Sequence, residues 1–228
     1  MNVAIVTVGD ELLAGETINT NAAWIAERLT DRGATVERVV TVPDRVADIA
    51  RVVNEYRAEY DAVVVTGGLG PTHDDCTIEG VGAAFGKPLE SNPAVAKWLD
   101  ENGEYAGDEL VAGTTELPAG AEPLHNEVGV APGCVINEVY VLPGVPEEMK
   151  AMFATVADRF VGTTTHVATV TVDEPESELL GRFDQLREQF DVTVGSYPGE
   201  VVTVKIRGID PDSVDRAAEW FSSRVNRA

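Results

Sequence analysis

A chain of 228 residues, 44% of them apolar, is long enough to bury a core and to hold one large domain or a medium domain with a small companion. Its 39 acidic and 17 basic residues leave a net charge of -22, which makes nucleic acid and anionic membranes poor partners, because binding to phosphate-rich surfaces draws on lysine and arginine. No apolar run approaches the roughly 20 residues that span a bilayer, and Met1 to Val8 lacks the basic region of a signal peptide, so the sequence reads as cytoplasmic.

The acidic residues are dispersed among apolar periodic segments and coat a folded surface, as in a protein that works in strong salt, where self-repulsion is screened. Cys76 and Cys134 have no metal-type spacing and need not pair, which fits a reducing compartment.

Taken in order, Val3 to Val8 is an apolar strand that ends in a charged turn, Gly9-Asp10-Glu11-Leu12-Leu13. A charged turn at the carboxyl end of a buried strand is where open α/β sheets place ligands. Asn19-Thr20-Asn21 offers an N-cap to a helix with Ala22, Ile25, Ala26 and Leu29 on one face, stopped by Gly33. Thr35 to Val42 is a further strand, and Pro43-Asp44 opens a helix with Val46, Ile49, Ala50 and Val53 aligned. Ala62 to Thr66 is β-branched without alternation, as expected of a central strand covered on both faces.

Gly67, Gly68 and Gly70 follow, and a helix begins near Thr77, with Ile78, Val81 and Phe85 at helical spacing. Such a turn can gather backbone N–H groups around phosphate beside the positive end of a helix. Asp74 and Asp75 stand in the same turn, so phosphate there calls for a divalent ion between the anions, held by one or two carboxylates. The competing reading is a turn with Asp75 as an N-cap and nothing bound.

Lys87 to Leu124 reads as an insertion near the site, with a helix from Pro93 to about Glu101 and a glycine-rich acidic loop. Asn126, Gly129, Ala131, Pro132 and Gly133 form a turn-rich run before a strand, Val139 to Leu142. Pro143-Gly144-Val145-Pro146 then leads into a helix that begins at Glu147-Glu148 and carries Met149, Met152, Phe153, Val156 and Phe160. After a break near Gly162 to Thr165, the pattern is strand, helix, strand, strand, helix, with a hairpin turn at Ser196-Tyr197-Pro198-Gly199. The expected organisation is thus a mainly parallel α/β domain, 1–164, and a small βαββα domain, 165–228.

Gly9-Asp10-Glu11-Leu12, Thr66 through Thr77 and Leu142-Pro143-Gly144-Val145-Pro146-Glu147-Glu148-Met149, with Asn19-Thr20-Asn21 and Ala131-Pro132-Gly133, together resemble the CinA family. The resemblance covers nearly the whole chain. It implies a three-layer αβα sandwich of the MoaB/Mog molybdopterin-binding type, followed by a KH-like domain. Larger members carry a third, amidase-type domain; these 228 residues end before it, so no deamidase activity is expected.

The resemblance implies two chemistries for the first domain. One is metal-dependent hydrolysis of a nucleotide pyrophosphate such as ADP-ribose; the other is binding or adenylylation of molybdopterin. Asp10 and Asp75 match metal-site and catalytic positions, for magnesium, manganese or cobalt. Substrate-binding candidates are Gly9, Glu11, Asn21, Gly67, Gly68, Leu69, Gly70, Thr72, Asp74, Asn126, Gly129, Pro143, Gly144, Pro146 and Glu147. Pterin-processing relatives usually carry threonine at the position of Leu69 and arginine at that of Asp74, so the hydrolase is the first expectation. A catalytically silent assembly module is the third.

His73 is a further loop candidate, while Cys76 is either a thiolate at a helix start or a packed thiol. From Thr165 onward there are 12 acidic and 7 basic residues and no Gly-x-x-Gly clamp between helices, so the second domain is expected to serve packing or assembly rather than RNA binding. The expected partners are a small nucleotide or pterin phosphate and further copies of the chain, as a homo-oligomer of two or three.

Overall fold

In the computed structural model, residues 1–70, 75–102 and 113–228 are described. Among them no helix is long and apolar enough to cross a membrane. The chain divides into two compact units, Met1–Gly162 and Thr163–Ala228.

The first unit runs β1 (Asn2–Val8), α1 (Asp10–Leu13), α2 (Thr20–Asp31), β2 (Thr35–Val42), α3 (Val46–Glu59), β3 (Ala62–Gly67), α4 (Thr77–Ala84), β4 (Leu89–Ser91) and α5 (Pro93–Asn102). It continues with β5 (Glu116–Pro118), β6 (Glu122–Leu124), β7 (Gly133–Ile136), β8 (Val139–Pro143) and α6 (Pro146–Val156), which ends in a 3-10 turn, Ala157–Arg159. Six strands form one sheet in the order β2-β1-β3-β8-β7-β6. The pairs β1/β2, β1/β3 and β3/β8 are parallel, while β7 and β6 run antiparallel at one edge.

The buried strands need no alternation because both faces are covered. On one face Ala4, Val6, Val63 and Val65 pack with Ile49, Val52 and Val53 of α3 and Val81 of α4. On the other, Val3, Ile5 and Val64 pack with Ile25 and Leu29 of α2 and Met149, Met152 and Phe153 of α6. Asn19 caps α2 by accepting from Ala22 N at 3.1 Å, and Gly33 turns the chain at φ 80°, the left-handed region that glycine enters at least cost.

Several local expectations change. The turn at Asp10–Leu13 is a short helix, closed by Ala14 N donating to Asp10 O at 2.9 Å. The helix expected from Pro43-Asp44 starts only at Val46. Strands β6 and β7 add to the sequence reading, in which 122–124 falls within the insertion and 133–136 follows a turn-rich run; runs of three and four residues are too short to show a period. The β7–β8 connection is made by Asn137-Glu138, with Asn137 at φ 39°. The glycine-rich acidic loop of the insertion lies outside the described residues; what flanks it is α5 and a two-stranded antiparallel sheet of β4 and β5.

The second unit is β9 (His166–Val172), α7 (Glu176–Gln189), β10 (Thr193–Tyr197), β11 (Val202–Gly208) and α8 (Pro211–Ser222). Its antiparallel sheet has the order β10-β11-β9. Val170, Val172, Val204 and Ile206 face Leu179, Phe183 and Leu186 of α7 and Ala217 and Phe221 of α8. Ser196 and Tyr197, expected in the turn, belong to β10.

Candidate functional site

Strand β1 leads through α2 to β2 on one side of it, whereas β3 lies on the other side and leads on toward β8. The carboxyl ends of β1 and β3 therefore flank the reversal point at which doubly wound sheets open a crevice. Gly9, Asp10 and Glu11 stand at the first end and Gly67 to Gly70 at the second. Pro143 pairs in register with Gly67, and a methyl built on Gly144 would come within 3.2 Å of the Gly67 carbonyl carbon, so the turn after β8 meets the glycine turn backbone to backbone.

Asp75 folds back over the glycine turn. A methyl on Gly68 would overlap Asp75 Oδ1, and one on Gly70 would lie 2.7 Å from Asp75 Oδ2. The glycines here leave room for a carboxylate, a requirement of space rather than of backbone angle. Asp75 is not the N-cap of α4; Cys76 takes that position, without a side-chain cap bond. Thr72, His73 and Asp74 lie outside the described residues.

A carboxylate that the sequence reading assigned to a helix start joins these groups. Asp44 accepts from Asp10 N at 2.7 Å, tying the end of β2 to the end of β1. Partial burial pushes the Asp44 carboxyl up, the hydrogen bond from Asp10 N opposes this, and the negative charges of Asp10, Glu11 and Asp75 add to the rise. Asp44 thus feels three other carboxylates from the ends of β1 and β3, and among the described residues no lysine or arginine pairs with Asp10, Glu11 or Asp44. Asp44 follows β2 as Asp10 follows β1, and that parallel was the available clue.

Like-charge crowding of this kind costs stability above the raised folded pKa, where Asp44 is ionised, and is relieved as pH falls toward the ordinary carboxylate range and the native state takes up a proton. Asp44→Asn keeps an oxygen for Asp10 N and removes the charge. Its melting temperature in low salt at neutral pH should exceed that of the wild type, with the gain shrinking in molar potassium chloride or at acid pH. A lower melting temperature under all these conditions would mean that Asp44 is compensated.

Two clefts open at these strand ends. The first, of about 100 Å³, is lined by Thr7, Val8, Glu11, Leu12, Thr17 to Asn21, Thr66, Gly144 and Pro146. The second, of about 170 Å³, is lined by Leu69, Gly70, Asp75, Ile78, Glu79, Leu89, Gly113, Thr114, Glu116 and Pro132. Asn21, Gly144, Pro146 and Glu11 meet in the first, and Leu69, Gly70 and Asp75 in the second.

The walls of the first cleft are held by a polar network. Asn19 Nδ2 donates to Thr7 Oγ1 at 2.9 Å, and Thr7 Oγ1 lies 2.9 Å from Thr41 Oγ1. Asn21 Nδ2 donates to Gly144 O at 2.7 Å, and Thr66 Oγ1 donates to Pro143 O at 2.6 Å.

Gly9, Asp10, Gly67, Gly68 and Pro143 stand at the strand ends but line neither cleft, and neither do Asn126, Gly129 and Glu147. Asn126, 1% exposed, accepts from Gly129 N at 2.8 Å and donates to Ala131 O at 3.0 Å and Glu148 Oε2 at 2.7 Å, so it shapes its own loop. Glu147 pairs with Lys150 at 2.9 Å on the exposed side of α6. Glu148, passed over in sequence, is the acid that this loop wraps. Cys76 and Cys134 are both free thiols. Burial and the nearby Asp44, Glu79 and Asp75 charges raise Cys76, and burial pushes Cys134 up to about 12, so neither sits in surroundings that favour a thiolate.

Over residues 4–162 the chain matches the family model described as a probable molybdopterin binding domain. A protein from Archaeoglobus fulgidus is 39% identical over 228 residues, 99% of each chain. Protein PF0476 of Pyrococcus furiosus is 37% identical, over 96% of this chain and 95% of its own. Among solved structures, "the protein CinA with unknown function from Thermoplasma acidophilum" matches with a TM-score of 0.64 at 34% identity, covering 71% of this chain and 99% of that one. The match to the model takes in the sheet, the glycine turn and both clefts, and the chain belongs to the probable molybdopterin binding domain family.

Proposed function

We propose that the crevice at the ends of β1, β3 and β8 binds a nucleotide pyrophosphate of the ADP-ribose type and hydrolyses it with a divalent cation held by Asp10 and Asp75. The observation that carries this reading is the Asp75 carboxylate lying over Gly68 and Gly70, with Asp75, Asp10 and Glu11 all near enough to act on Asp44. An anionic ligand enters such a place only with a cation between.

The donor set fits a hard ion of the magnesium, manganese or cobalt kind through one or two carboxylates, the remaining positions going to phosphate oxygens and water. It does not fit an all-protein cage, since among the described residues no three His, Cys, Asp or Glu side chains are grouped to hold a metal. When bound, the cation supplies neutralisation of phosphate charge and a water of lowered pKa. The chain's own part is to place Asp10 at the end of β1 and the Asp75 carboxylate in the space that Gly68 and Gly70 leave open, and to form the cleft walls with Asn21, Thr66 and Gly144.

The family description supports a second reading, in which the same crevice takes the phosphate of molybdopterin, a small pterin partner. The βαββα unit is assigned an assembly role in a cytoplasmic homo-oligomer. The test is purified protein in molar potassium chloride with each cation, supplied with ADP-ribose and related dinucleotides, alongside pterin retention. AMP release supports the hydrolase; pterin retention without AMP supports the second reading; neither leaves an assembly module.

Gly68→Ala offers a sharper check within this panel. The added methyl claims the space of Asp75 Oδ1, and the carboxylate must move. AMP release should fall at least 10-fold with the melting temperature little changed, the equivalent of about 1.4 kcal/mol in the barrier. Unaltered turnover would show that the position of Asp75 is immaterial.

A further inference from the structure

The Asn21 amide has a fixed orientation. Thr66 Oγ1 spends its proton on Pro143 O, so toward Asn21 Nδ2, 3.4 Å away, it can only accept. The Gly144 carbonyl, 2.7 Å from the same nitrogen, is also an acceptor. Two acceptors at one end of the amide require its NH2 there, which sets Oδ1 at the opposite end. Asn21 Oδ1 is buried and has no hydrogen-bond partner among the described residues. A buried carbonyl oxygen without a donor costs on the order of 1–3 kcal/mol, and this one belongs to a residue that lines the first cleft, at the ligand end of the sheet.

The rest of that cleft narrows the choice of donor. Val8, Leu12, Ile18 and Pro146 give it apolar sides, and among its lining residues Glu11 alone is charged. A flat heterocycle with a neutral N–H at its edge satisfies both the apolar sides and the orphaned oxygen. A lysine-like ammonium would draw on Glu11 instead, and a phosphate would meet Oδ1 acceptor to acceptor.

We propose that Asn21 is the residue by which this site selects its ligand, its Oδ1 accepting a hydrogen bond from the exocyclic amine of a fused-ring heterocycle. This rests on the reading that the neighbouring glycine turn takes the ligand's phosphate. An adenine and a 2-aminopterin share that amine, and the same oxygen serves either. Thr66 and Gly144 act as positioning groups that hold the amide the right way round.

The experiment is equilibrium binding with magnesium in molar potassium chloride, using ligand pairs that differ by the amine. AMP is compared with purine riboside 5′-monophosphate, and a pterin phosphate with its 2-oxo (lumazine) counterpart. Wild-type protein should prefer the amine-bearing member of at least one pair by 10-fold or more, and which pair shows the preference identifies the heterocycle. Asn21→Leu, close in size but without donor or acceptor, should bring that ratio to within about 2-fold of unity, with a thermal melt taken on the same sample.

Equal binding of both members of each pair by the wild type, no binding of any of them, or a preference that survives in Asn21→Leu overturns the proposal. If Asn21→Leu loses its fold, Asn21→Ala takes its place in the same comparison, and an amine preference that survives there overturns the proposal equally. Binding of magnesium pyrophosphate, which has no ring, reports the phosphate half separately. Pyrophosphate bound with no amine preference removes Asn21 and spares the phosphate reading; an amine preference without pyrophosphate binding does the reverse.

Discussion

Asp75→Asn should lower metal-dependent AMP release by about 10²-fold or more and leave the thermal melt unchanged. Asparagine keeps the size of the side chain that overlies Gly68 and Gly70 but removes the anionic ligand. A metal ion stabilises transition-state charge by several kcal/mol, and each 1.36 kcal/mol is a factor of ten in rate. The melt should hold because Asp75 does not cap α4; that position belongs to Cys76, which makes no side-chain cap bond. In low salt the lower charge density beside Asp44 should raise it slightly, since Asp75 is one of the charges that push the Asp44 carboxyl up. The measurement is AMP release and melting temperature on one sample in molar potassium chloride. Turnover within 2-fold of wild type with an unchanged melt would remove Asp75 from the mechanism, whatever becomes of the rest of the site.

Phe153→Ala should produce the largest loss of stability in the first unit, about 3–5 kcal/mol. Phe153 is 2% exposed on the inner side of α6, where Trp24 of α2 meets it edge-on at 5.5 Å and Phe160 stacks on it at 5.6 Å. Phe160 in turn touches Tyr140 of β8 at 4.6 Å, so the stacked pair Phe153 and Phe160 joins α6 to α2 and to the sheet. Truncation leaves a void lined by rigid rings that close on it poorly, and the lost dispersion contacts are not recovered. Against a total stability of about 5–15 kcal/mol for a domain, that is a large share. Urea unfolding followed in wild type, Phe153→Leu and Phe153→Ala checks it: leucine should recover more than half of the loss. A cost under about 1 kcal/mol for alanine would show that the aromatic cluster is not the brace between α2, α6 and the sheet.

The two effects separate cleanly in the fold. Phe153 sits in the layer that holds β8 and α6 in place, and Asp75 sits beyond the end of β3, over Gly68 and Gly70. The two variants are therefore expected to separate: Asp75→Asn should change AMP release and not the melt, and Phe153→Ala should change the melt first.

Local chemistry in the chain was sufficient to place β1 and β3, because unbroken apolar β-branched runs suit only strands covered on both faces. It was sufficient for the cap at Asn19 and the stop at Gly33, whose effects act within three or four residues. It also marked the three turns that meet at the crevice, since each follows a strand directly. What it left open depends on partners distant in sequence. Asp44 was read as a helix start because nothing near it in the chain shows that Asp10 N, 34 positions away, would claim its carboxylate. Glu147 and Glu148 are indistinguishable as a pair of acids, and only the fold sends Glu148 to Asn126 and leaves Glu147 on Lys150. The orientation of the Asn21 amide is set by a carbonyl 123 positions further on, through a backbone approach between β3 and β8 that no local pattern encodes. Residue types and their spacing therefore determined the layers and the crevice. Tertiary contacts alone decided which polar atoms are already bonded there and that Asn21 Oδ1 has no partner among the described residues.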